Sequence, residues 1–151
     1  EPDLIIIEGR QSEAIEEFKK LTNAKNTEYA SEAQYTLAEI QYNNKNLEES
    51  EKIILEITSN PSSEYWLAKA FILWADIFKQ RGNKIQAKQT LQSIIENYDG
   101  EDLIAEAQTK YDNIIAEENK ARELREKQLQ EMQERDNEID MTSSTEETQS
   151  E

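Results

Sequence analysis

The chain of 151 residues has no cysteine and no histidine. Their absence removes disulfides, thiolate zinc sites, thiol nucleophiles and every Ser–His or Cys–His catalytic pair. Three glycines, at 9, 82 and 100, are too scattered for a phosphate-cradling loop, which needs glycines clustered within a few residues. No apolar run approaches the ~20 residues that span a bilayer; the longest aliphatic stretch is Leu4 to Ile7. Positive charge is also scarce, with 17 Lys and Arg against 33 Asp and Glu and a net charge of −16. Such a chain repels a phosphate backbone and an anionic lipid surface, so neither nucleic acid nor a membrane span is expected. An acidic run, Asp136 to Asp140, invites comparison with a calcium loop. Met141 stands at the sixth place, where that loop needs glycine. These absences argue against an enzyme, and no catalytic residue, cofactor or metal is expected.

What the chain does have is helical periodicity. Tyr29, Ala33, Leu37 and Ile40 recur at three- and four-residue spacing, as do Leu67, Ala70, Phe71, Trp74, Ala75 and Phe78. Leu47, Ile53, Ile54 and Ile57 form a similar stripe, and so do Ala87, Leu91, Ile94 and Ile95. Each stripe predicts an amphipathic helix. The breaks are short and carry turn residues: Asn43 to Asn46, Asn60 to Ser63, Arg81 to Asn83, and Asp99 with Gly100. Short connections predict antiparallel neighbours.

The stripes also repeat. Ala33–Leu37–Ala38, Ala70–Trp74–Ala75 and Ala107–Tyr111–Asp112 align at steps of 37 residues. Ala14–Phe18–Leu21, Ser50–Ile54–Ile57 and Ala87–Leu91–Ile94 align at steps of 36 and 37. Two interleaved series in phase define a helix hairpin as the repeating unit. On these residues the sequence resembles the tetratricopeptide repeat family, whose unit is helix–turn–helix of roughly 34 residues. The resemblance implies an all-α superhelix of hairpins. Small residues would sit where the two helices of a hairpin cross, at Ala38 with Ser50 and at Ala75 with Ala87. Leu37, Ile54, Trp74, Phe78 and Leu91 would fill the space between. The loops before Ala33 and Ala70 are similar in style to repeats of bacterial cell-envelope proteins, including the outer-membrane assembly lipoprotein. That likeness points to the periplasmic side of the envelope rather than the cytoplasm.

The expected organisation is a repeat domain over 1–116, a charged helical extension over 117–138 and a disordered acidic tail over 139–151. The domain divides into a half repeat at 1–22, full repeats at 29–61 and 65–98, and the first helix of a last repeat at 102–116. The half repeat lacks its first helix, so the chain is expected to continue upstream in a longer protein. At the other end Asp112 stands where a small residue belongs, and Gln128 and Glu131 where apolar residues would be needed. One long helix is therefore expected to cap the stack, since repeat arrays need a polar outer end. Residues 117–151 carry 12 acids and 5 bases, and Glu118/Arg122, Glu123/Lys127 and Glu131/Arg135 are helix-supporting pairs.

In the family, the first helices of successive hairpins line a concave groove. The resemblance maps that groove to Glu32, Tyr35, Glu39 and Tyr42, then Lys69, Ile72, Asp76 and Lys79, then Glu106, Thr109 and Asn113. Relatives that clamp acidic chaperone tails use Lys, Arg and Asn there; this chain lacks that cluster. The expected function is non-catalytic recognition of a protein or peptide segment, with Tyr35, Tyr42 and Ile72 as apolar contacts. The alternative is a structural module that packs with upstream repeats or forms a homo-oligomer through its open N-terminal face. Trp66, at a helix start, is expected to be partly exposed. Lys79, Arg81, Lys84 and Lys88 form a basic patch at the second hairpin turn.

Overall fold

The predicted stripes become helices whose apolar faces meet. In the computed structural model, which describes residues 10, 12–17 and 27–149, all regular structure is α-helical. The elements are α1 (Thr27–Asn43), α2 (Leu47–Ser59), α3 (Glu64–Gln80), α4 (Lys84–Asn97) and α5 (Glu101–Gln149). Helices α1, α3 and α5 begin at 27, 64 and 101, and α2 and α4 at 47 and 84, so the 37-residue step of the sequence is also the step of the backbone. None of the described helices is long and apolar enough to cross a membrane.

The two hairpin turns are built alike. Asn46 N–H reaches back to the Gln41 carbonyl and Asn83 N–H to the Phe78 carbonyl, at 2.9 and 2.8 Å. Lys45 and Gly82 N–H bond to the Tyr42 and Lys79 carbonyls, both at 3.0 Å. These paired bonds close the helix carbonyls that have no partner within the helix, and they require a left-handed residue. Gly82 takes that conformation with φ 80°, at no steric penalty. The first turn places Lys45 there with φ 67°, a position where a side chain is strained. Asn83 then caps α4 by accepting from Gln86 N–H.

Helix α1 packs on α2, α3 on α4, and α3 also meets both α1 and α2. One core cluster joins the hairpins: Leu37 and Ala38 of α1, Ile53, Ile54 and Ile57 of α2, and Ala70, Leu73 and Ile77 of α3. Ile15, in the helical stretch 12–17, packs against the same cluster. At the first crossing Ala38 and Ser50 are both fully buried, and the Ser50 hydroxyl donates to the Ala38 carbonyl at 2.7 Å. At the position expected for the second crossing Ala75 and Ala87 are both buried. Leu91 is buried as well, while Trp74 and Phe78 are half-buried. Those two rings stack in a row with Phe71, centroids 5.9 and 5.6 Å apart.

The chain divides into two compact units, Glu1–Tyr111 and Asp112–Glu151. In the second unit the helix continues through Gln149, past the boundary expected at 138 and into the stretch expected to be a disordered tail. No glycine or proline follows Gly100, so nothing in the covalent chain stops it. Thr142 and Ser144 hydroxyls also bond back to carbonyls three and four residues earlier, which takes up their polar groups inside the helix. Most of the half repeat expected over 1–22, including Leu4 to Ile7, Phe18 and Leu21, lies outside the described residues.

Candidate partner-binding face

Residues one repeat apart occupy equivalent places on α1, α3 and the first part of α5: Glu32, Lys69 and Glu106; Tyr35, Ile72 and Thr109; Glu39 and Asp76. They do not all remain accessible. Ile72 is only 2% exposed, so it is a core residue and not the apolar contact expected of it. The reason lies in α3, which is buried along two rows. Ala70, Leu73 and Ile77 belong to the shared cluster, and Ala68, Ile72 and Ala75 form a second buried row. Tyr35 and Tyr42 are half-buried and pack against the core cluster, so neither points away from the hairpin core as expected. Glu39 and Thr109 are exposed, and Lys69, Asp76, Lys79 and Glu106 are intermediate. Asn113 is exposed and belongs to the second unit.

The face is centred on Tyr35. Its ring lies 5.8 Å from that of Trp66, and the Lys69 ammonium sits 5.1 Å from its centroid. That cation faces the electron-rich side of the ring. Burial pushes the Tyr35 phenol well above its ordinary range, and the carboxylates of Glu39, Glu106 and Asp76 push it further. The hydroxyl donates to Glu39, a bond that ionisation would destroy. Asp76 is matched by Lys110, whose ammonium reaches both carboxylate oxygens at 3.0 and 2.8 Å. Lys110 had no assigned role in the sequence. Its partner lies 34 residues away on another helix, and no local pattern marks such a pair.

A second polar knot secures the opposite edge of α3. Glu51 of α2 accepts from the Trp74 indole at 3.0 Å and from Arg81 at 2.6 Å. One member of the basic patch at the turn is therefore an internal partner and not a free docking charge. Lys79, Lys84 and Lys88 are also engaged in interactions of their own.

The raised Tyr35 phenol has a consequence for alkaline stability. A tyrosine whose folded pKa lies above the unfolded value of ~10 stabilises the fold fully below that value and loses the contribution as the pH climbs through the folded value. Thermal melts of the wild type are expected to drop as the pH rises past about 10. Tyr35→Phe, which keeps the ring and lacks the ionising group, is expected to flatten part of that drop. Identical alkaline profiles would show that the hydroxyl is not held neutral by its surroundings.

The arrangement offers an acidic surface with aromatic contact. No protein-family model matches the chain, and no curated protein or solved structure matches it.

Proposed function

We propose that this chain folds as a tetratricopeptide-type solenoid that recognises a protein or peptide segment carrying basic and apolar residues. The segment docks along the α1–α3–α5 face, the concave side in such a superhelix, in a largely preformed groove. The observation that carries the reading is the charge balance around Tyr35. Lys110 neutralises Asp76, whereas the negative potential of Glu39 and Glu106 disfavours ionising Tyr35, and Glu32 is exposed on the same helix. A net charge of −16 adds a long-range field of the same sign, which steers cationic segments and repels anionic ones. Burial of Tyr35 and Tyr42 against the core makes alanine truncation there a test of stability as well as of binding. Charge reversal at accessible positions is the cleaner probe.

The test is an array of peptides that alternate arginine or lysine with leucine, beside glutamate–leucine peptides of equal length. The basic set is expected to bind. Glu39→Lys with Glu106→Lys is expected to weaken that binding by roughly tenfold, mainly through slower association and a lower salt dependence. Circular dichroism should show unchanged helicity. Preference for the glutamate peptides, or equal affinity for the doubly reversed chain, would remove this face as the site.

A second reading is favoured by α5 beyond the first unit. Leu124, Leu129, Met132, Ile139 and Met141 are 52–72% exposed on it. A helix bearing that much uncovered apolar surface suits assembly with a copy of itself or with another helix. Light scattering on the whole chain at high concentration separates the two readings, since recognition by the α1–α3–α5 face does not need a dimer.

A further inference from the structure

We infer that a notch at the amino-terminal ends of α1 and α3 is a subsite for a guanidinium group, delivered by an arginine side chain of the bound segment. Glu28, Tyr29 and Glu32 of α1 and Tyr65 and Trp66 of α3 line it. The inference deepens the reading above and rests on it only for the carrier of the arginine.

The walls are aromatic and open. Tyr29 is 64% exposed and Tyr65 43%, although rings of this size are usually worth burying. Tyr65 and Trp66 are also held in place. Tyr65 meets Trp66 edge-to-face with centroids 5.0 Å apart, and Trp66 leans in turn on Tyr35, which is anchored on the core. The ring faces therefore stand ready before any ligand arrives. The notch is continuous with the groove through that Trp66–Tyr35 contact.

Two carboxylates, Glu28 and Glu32, stand at its rim. Among the described residues no cation pairs with Glu28 or Glu32, whereas Glu51 and Asp76 each hold one. An aromatic wall beside carboxylates attracts a cation twice, through the ring quadrupole and through direct Coulomb attraction. The cluster already shows this preference, because the Lys69 ammonium lies over the adjoining Tyr35 ring. An anion would be repelled by both walls and rim.

The chemistry favours guanidinium over ammonium. Guanidinium is planar and can stack on a ring while its N–H edges reach two carboxylates. It is also less strongly hydrated, so leaving water costs less than it does for lysine. Trp66 and Trp74 are the only tryptophans of the chain and supply both a reporter and a control. Trp66 lines the notch, while the Trp74 indole, two turns further along α3, is tied to Glu51 of α2.

The experiment is a titration of the whole ¹⁵N-labelled chain with N-acetyl-arginine amide, followed at the two indole resonances. The Trp66 resonance is expected to shift to saturation while that of Trp74 stays in place. N-acetyl-citrulline amide, uncharged and of the same shape, should move neither. Glu28→Gln with Glu32→Gln should weaken the arginine amide by roughly fivefold or more, with the Trp74 resonance unmoved as evidence of an intact fold. The inference is overturned by a Trp66 shift of equal size with citrulline amide, by unchanged binding to the double variant, or by no saturable shift. If the chain binds no basic peptide and arginine amide still shifts Trp66, the groove reading falls and the subsite stands. If basic peptides bind and arginine amide does not, the subsite falls and the groove reading stands.

Discussion

Ile77→Ala is expected to destabilise the first unit by about 2–5 kcal/mol, the range for emptying a fully buried aliphatic position. Ile77 has no exposed surface, and its cluster contains Leu37 and Ala38 of α1 and Ile53, Ile54 and Ile57 of α2. The substitution therefore removes contact between hairpins as well as within one. In a stack of repeats, stability divides into the intrinsic stability of each unit and the interfaces between neighbours. Weakening that interface should lower the denaturant midpoint and also broaden the transition, as the hairpins begin to melt separately. Chemical denaturation followed by circular dichroism checks both. A loss below about 1 kcal/mol with the slope unchanged would mean that the cluster is not the element that couples them.

Ala75→Leu carries the next largest effect and acts by the opposite route. Ala75 is 2% exposed in α3, and Ala87, at the facing position of the same hairpin, has no exposed surface. Added methyl groups have no space to enter, and overpacking a filled core costs about 1–3 kcal/mol. For a unit of this size that is a fall of roughly 4–12 °C in Tm. The equivalent change in the other hairpin, Ala38→Leu, should cost at least as much. There the larger side chain must also displace Ser50, whose hydroxyl bonds the Ala38 carbonyl at 2.7 Å. Unchanged melting of both variants would show that the helices do not approach closely at these positions.

The close crossings could be read in advance because they depend on two quantities local to the chain. One is the 3.6-residue period, which puts Ala33, Leu37 and Ala38 on a buried side of α1. The other is the spacing of helix starts, carried by turns that can be recognised from Gly82–Asn83 and Lys45–Asn46. Residue size completes the pattern, since a small residue lets two backbones come near. The extent of α5 was legible only in part. Its polar surface pointed to solvent, yet a helix stops where the backbone meets a breaker, and none is present after Gly100.

The candidate binding face was less legible. Position along the helix placed Tyr35, Glu39, Lys69 and Asp76 on one side, but the same periodicity put Ile72 there too. Whether a residue on the border of a stripe is open or covered depends on how many helices surround its own. Helix α3 has neighbours on two sides and α1 loses less of its surface, so equivalent positions such as Tyr35 and Ile72 end differently. Charge pairing follows the same rule. Lys110 with Asp76, and Glu51 with Trp74 and Arg81, join side chains 23–34 residues apart, which no spacing within one helix could reveal. Tyr29, Tyr65 and Trp66 likewise form one wall only because the ends of α1 and α3 lie side by side. By itself, then, the sequence determined the helices, their 37-residue step and the small residues at each crossing, because covalent geometry and side-chain volume act over a few residues. The tertiary structure alone decided which acidic groups among the described residues are paired with a distant cation, because electrostatic partnership depends on distance through space and not along the chain.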